Sequence, residues 1–512
     1  MNITSIRRAV LAVLTVLVAI AVGSSLISSW QQPQVSSRLQ LYQTDLFLQA
    51  AEWQGEGFDP ATVAQIREAL LGKEPLQTAL DQYQSVREEA TANIEQASAA
   101  IAESSAELNS SASPRPDRRR VAIQQQVILQ QQLDLRIGVL QAALGNREAA
   151  SSVWEPLQTA GSGNDGISQT AATLNQLWAE PPTLREQAES RIEQNLEGWF
   201  RYQALSQLYQ AQNRSNALRR LQAMEENAAM AAVYKAIAIG VLPTIGFLAG
   251  IATLVTLLVQ RLRNGQDAWI ARNEGKSWEV PWTGEVVWQV LILGFFFTGQ
   301  LLLPFLISQL GLNIVALGSR GRALYSMSYY LLMAIIGVSV IYISVRPYLP
   351  IPEGWFRFRW RSDWLLWGLG GYFCALPLMI GVSVLNQQIW QGQGGSNPLL
   401  QTVLEESDPV ALTAFLLTAA VAAPIFEEVL FRGFLLPSLT RYMPVGGAIA
   451  LSSFVFAAAH LSLSEILPLM TLGAILGFVY ARSRSLLAPM LLHSAWNSVT
   501  MVSLFLLGSG AG

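Results

Sequence analysis

Long apolar stretches, separated by short polar connections, dominate the chain and predict a polytopic α-helical membrane protein. A helix that spans the hydrocarbon core of a membrane needs about 20 largely apolar residues. The first such stretch covers residues 9–27. Eight more lie at residues 232–259, 286–311, 325–345, 363–385, 409–430, 445–460, 465–481 and 486–508. The pattern therefore predicts nine membrane helices, one near the N-terminus and eight in the second half of the chain.

The region between the first two apolar stretches has a different pattern. It is polar and rich in Gln, Ala, Glu and Ser, with few clusters of β-branched residues, which favours helix. We therefore expect an all-α protein with three parts. Residues 1–29 are an N-terminal membrane anchor or signal sequence, residues 30–230 a soluble helical domain, and residues 231–512 an eight-helix membrane bundle. Residues 104–120, which include a Ser-Ala-Ser-Pro-Arg-Pro run, predict an exposed linker.

Two segments of the polar region resemble each other, LQAALGNREAASSVW at residues 140–154 and LYQAQNRSNALRRLQ at residues 208–222. Their offset, 208 − 140 = 68, equals two periods of the 34-residue tetratricopeptide repeat. Each segment combines a helix with a turn, at Gly145 in the first and at Asn213 in the second. The register between them does not match, and Pro181-Pro182 interrupts it. A tetratricopeptide-like array and a plain antiparallel helical bundle are therefore both open for this region.

Basic residues predict the orientation, because the cytoplasmic connections of membrane proteins carry an excess of Lys and Arg. Arg7 and Arg8 place the N-terminus in the cytoplasm, and the connection at 387–408, which contains acidic residues and no Lys or Arg, is expected outside. Arg320 and Arg322 are the exceptions, in an external connection. The polar region is then extracytoplasmic. The remaining residues that support this orientation are Arg261, Arg263, Arg272, Lys276, Arg346, Arg357, Arg359, Arg361, Arg441, Arg482 and Arg484.

Residues 1–29 have two interpretations. The basic pair followed by the apolar residues 9–27 is typical of a signal anchor, whereas the small residues Gly23-Ser24-Ser25 also fit a cleaved signal peptide. We expect the anchor. Both interpretations place the polar region outside the cytoplasm.

Composition excludes several classes of function. A net charge of −3 provides no basic surface for nucleic acid. The sequence contains no Walker loop, no GxGxxG motif after a strand and no HExxH motif. The single cysteine, Cys374, excludes an internal disulfide and a CxxC site. Because it lies within a predicted membrane helix, we expect it to be a small buried hydrophobic residue.

The apolar stretch at 409–430 contains an adjacent acidic pair, Glu427-Glu428, with Arg432 four residues later. An ionisable side chain at membrane depth costs about 2.5–3.5 kcal/mol on insertion scales, so it is a candidate functional residue. On a helix, Glu428 and Arg432 share a face and can pair, whereas Glu427 lies about 100° away. Pro424 lacks an N–H and loosens the helix just before the pair. Glu427 is therefore the carboxylate available as a general base.

Both histidines of the chain, His460 and His493, lie in the same apolar region. His460 closes the predicted seventh helix, four residues after Phe456. Asn497 follows His493 by four residues, so these two side chains lie on one face of a helix. An imidazole and a carboxamide aimed at one point can donate hydrogen bonds to a developing oxyanion, and one such donor is typically worth ~10²–10³ in rate.

Each segment taken alone also has a structural explanation. A Glu–Arg pair at this spacing is commonly an ion pair that stabilises a helix, and a single membrane histidine is commonly part of a helix–helix contact. Two carboxylates and both histidines nevertheless fall between residues 427 and 493, on adjoining predicted helices. The combination predicts a site of water chemistry inside the membrane.

The three motifs, EExxxR at residues 427–432, FxxxH at 456–460 and HxxxN at 493–497, resemble those of the CPBP family. That family comprises type II CAAX prenyl endopeptidases and bacteriocin-processing or self-immunity proteins, and is also called the Abi family. The resemblance is close over residues 427–497 and loose over the membrane region 232–508. It does not extend to the polar region.

The resemblance implies an intramembrane endopeptidase and a role for each motif residue. Glu427 and His460 would activate the attacking water, and His493 and Asn497 would stabilise the tetrahedral oxyanion. The supporting residues would be Glu428 and Arg432, which hold the site and help to place the substrate, and Phe456, which lines the cavity.

A cofactor-free mechanism is expected, because Asn497 is a poor zinc ligand and a good hydrogen-bond donor. The alternative is Zn²⁺ held by Glu427, His460 and His493. The expected partners are the lipid bilayer, a membrane-associated or lipidated peptide or protein substrate, and a protein partner of the polar region. The expected location is the bacterial inner (plasma) membrane or the thylakoid.

Two other functions remain open from the sequence. The motif cluster could hold together a non-proteolytic scaffold, immunity or regulatory protein of the same family. A transporter, with the charges as a proton relay, is weaker because no inverted repeat with paired broken helices is evident.

Overall fold

The computed structural model describes residues 3–30, 34, 36–55, 57–107, 116–160, 166–182, 187–311 and 313–509. The elements formed by these residues are all helical, as the sequence predicts. They fall into two units. A membrane unit contains Met1–Val35 and Val241–Gly508, and a polar unit consists mainly of Ser36–Gly240.

The first helix, α1, belongs to the membrane unit and the next nine form the polar unit. Their bounds are α1 (Ile3–Trp30), α2 (Ser36–Ala51), α3 (Pro60–Leu71), α4 (Pro75–Glu107), α5 (Pro116–Ala143), α6 (Arg147–Ala160), α7 (Gly166–Leu177), α8 (Ala188–Asn195), α9 (Gly198–Ala211) and α10 (Ser215–Ala236). The predicted linker at 104–120 is shorter than expected, because α4 continues to Glu107 and α5 begins at Pro116. Residues 108–115 lie outside the described part of the chain.

Three helices of the polar unit end at equal intervals along the chain. α5 ends at Ala143, α7 at Leu177 and α9 at Ala211, and both intervals are 34 residues (177 − 143 and 211 − 177). The two turns singled out in the sequence share one geometry. Gly145 and Asn213 both have positive φ, and the next residue donates its N–H five residues back, to Gln141 and to Tyr209 respectively. The spacing is that of a tetratricopeptide array, with a longer second turn before α8.

The helix pair α5–α6 packs closely around one tryptophan. Trp154 is fully buried and donates its indole N–H to the carbonyl of Leu135 (3.2 Å). A Cβ on Gly138 would come within 2.1 Å of the Trp154 indole nitrogen. Glycine at this position therefore permits the two helices to approach each other.

The membrane unit contains α1 and twelve further helices within the described residues. These are α11 (Leu242–Asn264), α12 (Gly284–Gln289), α13 (Leu303–Ser308), α14 (Ser319–Val345), α15 (Trp364–Trp390), α16 (Pro398–Leu404), α17 (Pro409–Leu417), α18 (Ala423–Glu427), α19 (Leu436–Leu439), α20 (Val445–Ala458), α21 (Ile466–Ser483) and α22 (Leu487–Gly508). Helices α12 and α13, and likewise α17, α18 and α19, are joined by π-helical segments into single apolar helices.

Eight helical stretches in the described residues are long and apolar enough to cross a membrane, instead of the nine that the sequence predicts. The exception is α20, which has 14 residues. At 1.5 Å per residue it is about 21 Å long, shorter than a hydrocarbon core of about 30 Å. Because α20 ends early, the chain turns back directly before His460.

Helix α1 packs along the membrane unit at both of its ends. Arg8 donates to Glu285 at the start of α12 (3.0 Å), and Arg7 pairs with the same carboxylate. Near its other end, the rings of Trp30 and Trp390 meet edge to face at 5.7 Å. These contacts make α1 an integral helix of the membrane unit.

Candidate active site

The helix that carries the acidic pair is interrupted by a π-helical segment directly before Pro424. Proline has no N–H, and the wider turn leaves the carbonyls of Ala419 and Ala420 without their usual partners. Side chains of α22 supply those donors: Asn497 donates to Ala419 (2.7 Å) and Ser494 donates to Ala420. The irregular backbone, which the sequence predicts from the proline, is thus stabilised by the helix that carries the HxxxN motif.

Glu428 forms the centre of a buried charge cluster. Its Oε1 accepts from Arg432 (2.8 Å), as the helical spacing predicts, and from Nδ1 of His493 (2.9 Å). Arg432 also donates to the backbone carbonyl of Gly473 (3.1 Å). The side chains of Glu428 and Arg432 are 0% and 1% exposed, so each charge depends on the other for compensation.

Glycine brings α21 close enough to join this cluster. A Cβ on Gly473 would lie 2.9 Å from Cβ of Ser453 on α20. The close contact between α20 and α21 therefore requires the small residue whose carbonyl receives Arg432. Arg432 thus connects its own helix to α21 by a hydrogen bond, and its guanidinium lies over the ring of Phe456 on α20.

Glu427 is separate from the arginine pair and is held by a tyrosine. Tyr330 on α14 donates its hydroxyl to Oε1 of Glu427 (2.9 Å). The other carboxylate oxygen lies 3.9 Å from Nε2 of His493, which is beyond hydrogen-bond length. Gly337, two turns along α14 from Tyr330, admits the ring of Phe426. α14 can therefore approach the acidic motif closely.

The FxxxH motif lies against the same cluster. Phe456 is fully buried, and its ring contacts His460 (4.9 Å between centroids), His493 (5.8 Å) and the guanidinium of Arg432 (4.6 Å). His460 places Nδ1 2.8 Å from the carbonyl of Phe456. Because a carbonyl can only accept, this nitrogen carries the proton and Nε2 of a neutral His460 is an acceptor.

The structure brings most of the predicted residues together. Glu427, Glu428, Arg432 and His493 are linked by direct contacts, and Phe456 connects them to His460. Asn497 is one helical turn from His493, with its amide nitrogen hydrogen bonded to a backbone carbonyl. Their catalytic and supporting roles stay predictions.

The sequence reasoning missed Tyr330, Gly473 and Ser494. Tyr330 is 97 residues from Glu427 and stands in an apolar stretch with other tyrosines, so no local pattern distinguishes it. Ser494 lies inside the HxxxN motif and could have been found from the missing N–H of Pro424.

A carboxylate just before the observed helix α21 interacts with His460. Glu465, directly before α21, accepts from the backbone N–H of Asn397 (2.6 Å). Burial raises the pKa of Glu465, while the Asn397 N–H and the charge of His460 act in the opposite direction. Glu465 therefore links the loop between α20 and α21, which contains His460, to residues 391–397 after α15.

Glu427, His460 and His493, the residues of the alternative zinc site, do not form a preassembled metal cluster in the described part of the chain. Within the described residues, no group of three or more His, Cys, Asp and Glu side chains is arranged to hold a metal ion. Nδ1 of each histidine is hydrogen bonded, to the carbonyl of Phe456 in one case and to Glu428 in the other. No catalytic step is therefore derived through zinc.

Comparison with known proteins supports the motif assignment over part of the chain. Residues 409–499 match the family model described as type II CAAX prenyl endopeptidase Rce1-like. A protein of Bacillus subtilis (strain 168) named "Putative membrane peptidase YdiL" is 25% identical over 138 residues, which are 27% of this chain and 55% of that protein. The chain thus spans about half the length of this curated relative. No solved structure gives a significant match.

The apolar helices of the described residues define a multi-pass membrane protein. Residues 409–499, which contain all three motifs, are thus similar to the type II CAAX prenyl endopeptidase family, in agreement with the resemblance that the motifs showed. The family match does not include the polar unit.

Proposed function

We propose that the protein is an intramembrane endopeptidase that hydrolyses peptide bonds of membrane-associated or lipidated peptides or proteins. The observation that carries this proposal is the position of Glu427. One oxygen is fixed by Tyr330, while the other forms no hydrogen bond to the nearby His493. A positioned carboxylate with a free oxygen is suited to take a proton from water.

The proposed reaction uses Glu427 and His460 to activate water. The water oxygen attacks the peptide carbonyl carbon, and one water proton passes to Glu427. Nε2 of His460 accepts a hydrogen bond from the other water hydrogen. The tetrahedral intermediate then collapses, the C–N bond breaks, and the proton is delivered to the departing amine. General bases of this kind contribute about 10²–10⁴-fold in rate.

His493 and Asn497 are proposed as oxyanion donors. Because Nδ1 of His493 donates to Glu428, Nε2 can donate only when the ring is an imidazolium. Glu428 accepts the hydrogen bond from Nδ1 and thereby orients the ring, much as a buried carboxylate orients the histidine of a catalytic triad. Asn497 has a second amide N–H beyond the one given to Ala419. The mechanism requires no metal.

A non-proteolytic scaffold of the same family is the second candidate. Its support is structural: Arg432 connects helices through Gly473, and Asn497 stabilises an interrupted helix. We further propose that the polar unit is extracytoplasmic and binds a protein partner, and that the membrane is a bacterial inner membrane or a thylakoid.

The decisive experiment is cleavage of a library of transmembrane and lipidated peptides by the purified full chain, with and without a metal chelator. Glu427→Gln should lower the cleavage rate by about 10²–10⁴-fold. Glu353→Gln, which changes an exposed carboxylate (94% exposed), is the matched control and should cleave normally. Persistent cleavage in Glu427→Gln would contradict the proposal, and loss on chelation with rescue by Zn²⁺ would contradict the metal-free mechanism.

A further inference from the structure

A cavity of about 790 Å³ lies in the membrane unit beside α14. Its walls combine aromatic side chains with small hydroxyl side chains, a composition suited to an extended peptide that is partly apolar. The lining residues include Ile314, Ser319, Ser326, Tyr330, Glu405 and Glu406.

The inner end of this cavity is lined by Tyr330, the residue that holds the proposed catalytic carboxylate. Tyr330 lines the cavity and also donates its hydroxyl to Glu427. Tyr330 is eleven residues beyond Ser319, the first residue of α14. At 1.5 Å per residue the cavity therefore follows α14 for about 16 Å from the helix start to the site.

The outer end of the cavity lies at the face where α1 ends, here called the opposite face. Ile314 belongs to the connection before α14 and Ser319 is the first residue of that helix, while Glu405 and Glu406 belong to the connection before α17. The connection that contains Glu405 and Glu406 follows α15. The last residue of α15, Trp390, contacts Trp30 at the end of α1. Gln34, just beyond α1, also donates to the carbonyl of Gly392 (2.8 Å).

The other face, where α1 begins, carries most of the charge and is here called the basic face. Arg8 binds Glu285 there, Arg272 binds Asp363 (2.6 Å), and Arg441 donates to the carbonyl of Trp282 (2.7 Å). Arg320 and Arg322, the two exceptions to the charge pattern, lie at the opposite face. Arg320 is paired there with Asp408 (2.6 Å). The excess of basic residues makes the basic face cytoplasmic.

We propose that the substrate enters from the extracytoplasmic side, as a peptide segment that passes down this cavity to Glu427. The inference rests on the proposed peptidase function and adds the side of the membrane from which the substrate comes. It excludes substrates whose cleavage site is displayed only in the cytoplasm, and it favours membrane-anchored chains with an exported juxtamembrane segment.

The first arm of the test maps the cavity mouth by cysteine labelling in intact cells. The only cysteine, Cys374, is buried and is replaced by Ala to give a background without thiols. Ser326→Cys places a thiol on the cavity wall, and Lys276→Cys places one on the basic face. A bulky membrane-impermeant maleimide should label Ser326→Cys in intact cells and Lys276→Cys only after permeabilisation. The reverse pattern would overturn the proposal, and it does so whether or not any peptide is cleaved.

The second arm asks whether the cavity is the route to the site. Labelling purified Ser326→Cys should lower cleavage of a peptide identified in the library at least tenfold relative to the same variant unlabelled. Ser407→Cys, exposed at the opposite face and outside the cavity lining, is the control and should keep its activity after labelling. Unchanged cleavage in labelled Ser326→Cys would reject the cavity as the entrance. Absence of cleavage in every unlabelled variant would instead count against the peptidase function, leaving the first arm to decide the side.

Discussion

The two units of this protein contain similar buried polar groups in different arrangements. In the polar unit, Tyr83 donates to Asp45, and Arg136 donates to both of them, at 3.1 and 3.3 Å. Burial raises the pKa of Asp45, while Arg136 and Tyr83 counteract it. One carboxylate thus receives the tyrosine and the arginine together, and the cluster is closed.

In the membrane unit the same two partners are divided between adjacent carboxylates. Tyr330 holds Glu427, whereas Arg432 holds Glu428. Glu427 is therefore positioned by a neutral hydroxyl, while the guanidinium is used by its neighbour. The distribution of donors, more than the types of residue, therefore distinguishes a site suited to proton transfer from a structural cluster.

The largest expected effect follows from removing the arginine of the membrane cluster. Arg432→Ala leaves the fully buried Glu428 without its cation, and breaking a buried pair in this way costs about 3–5 kcal/mol. We expect a lower thermal stability in detergent together with loss of cleavage. Arg136→Ala should cost less, because both partners there are 27% exposed and retain solvent. Equal losses of stability would contradict the distinction between the two clusters.

The next effect separates chemistry from helix stabilisation on α22. If Asn497 is an oxyanion donor, Asn497→Ala should lower kcat by about 10²–10³-fold. Ser494→Ala is the matched control, because both side chains satisfy carbonyls of the same interrupted helix. It should reduce stability by about 1 kcal/mol and leave kcat nearly unchanged. A similar fall in kcat for both variants would assign Asn497 a structural role alone.

Loss of the tyrosine that positions Glu427 should have a smaller effect. A hydrogen bond to a charged group contributes about 1.5–3 kcal/mol, so Tyr330→Phe should lower kcat by roughly 10–100-fold with little change in KM. Tyr329→Phe provides the control, since the neighbouring hydroxyl binds the carbonyl of Gly299 instead. Should KM rise in Tyr330→Phe while kcat is retained, the tyrosine would be a substrate contact and not a positioning residue.

The smallest effect on cleavage is expected in the polar unit. Tyr83→Phe removes the corresponding hydroxyl from the closed cluster and should cost about 1 kcal/mol of stability there. The kcat for a short peptide should stay at the wild-type value. A decrease like that of Tyr330→Phe would show that the polar cluster takes part in the reaction.

The sequence by itself determined the features that depend on local periodicity. Apolar stretches of membrane length predicted the helices, with boundaries that lie close to those observed for α21 and α22. The four-residue spacing of Glu428 and Arg432 predicted their ion pair, because residues at this distance share one face of a helix. The FxxxH and HxxxN motifs likewise identified the helices on which the site is built.

Only the tertiary structure decided how those helices share their polar groups. Tyr330 meets Glu427 across 97 residues and His493 meets Glu428 across 65, and no local pattern encodes contacts of this range. Helix α20 is shorter than the predicted stretch, because the helix ends at Ala458 whereas the apolar run continues to residue 460. Helix packing through small residues such as Gly337 and Gly473 fixed these distances, since close approach depends on the shapes of both partners.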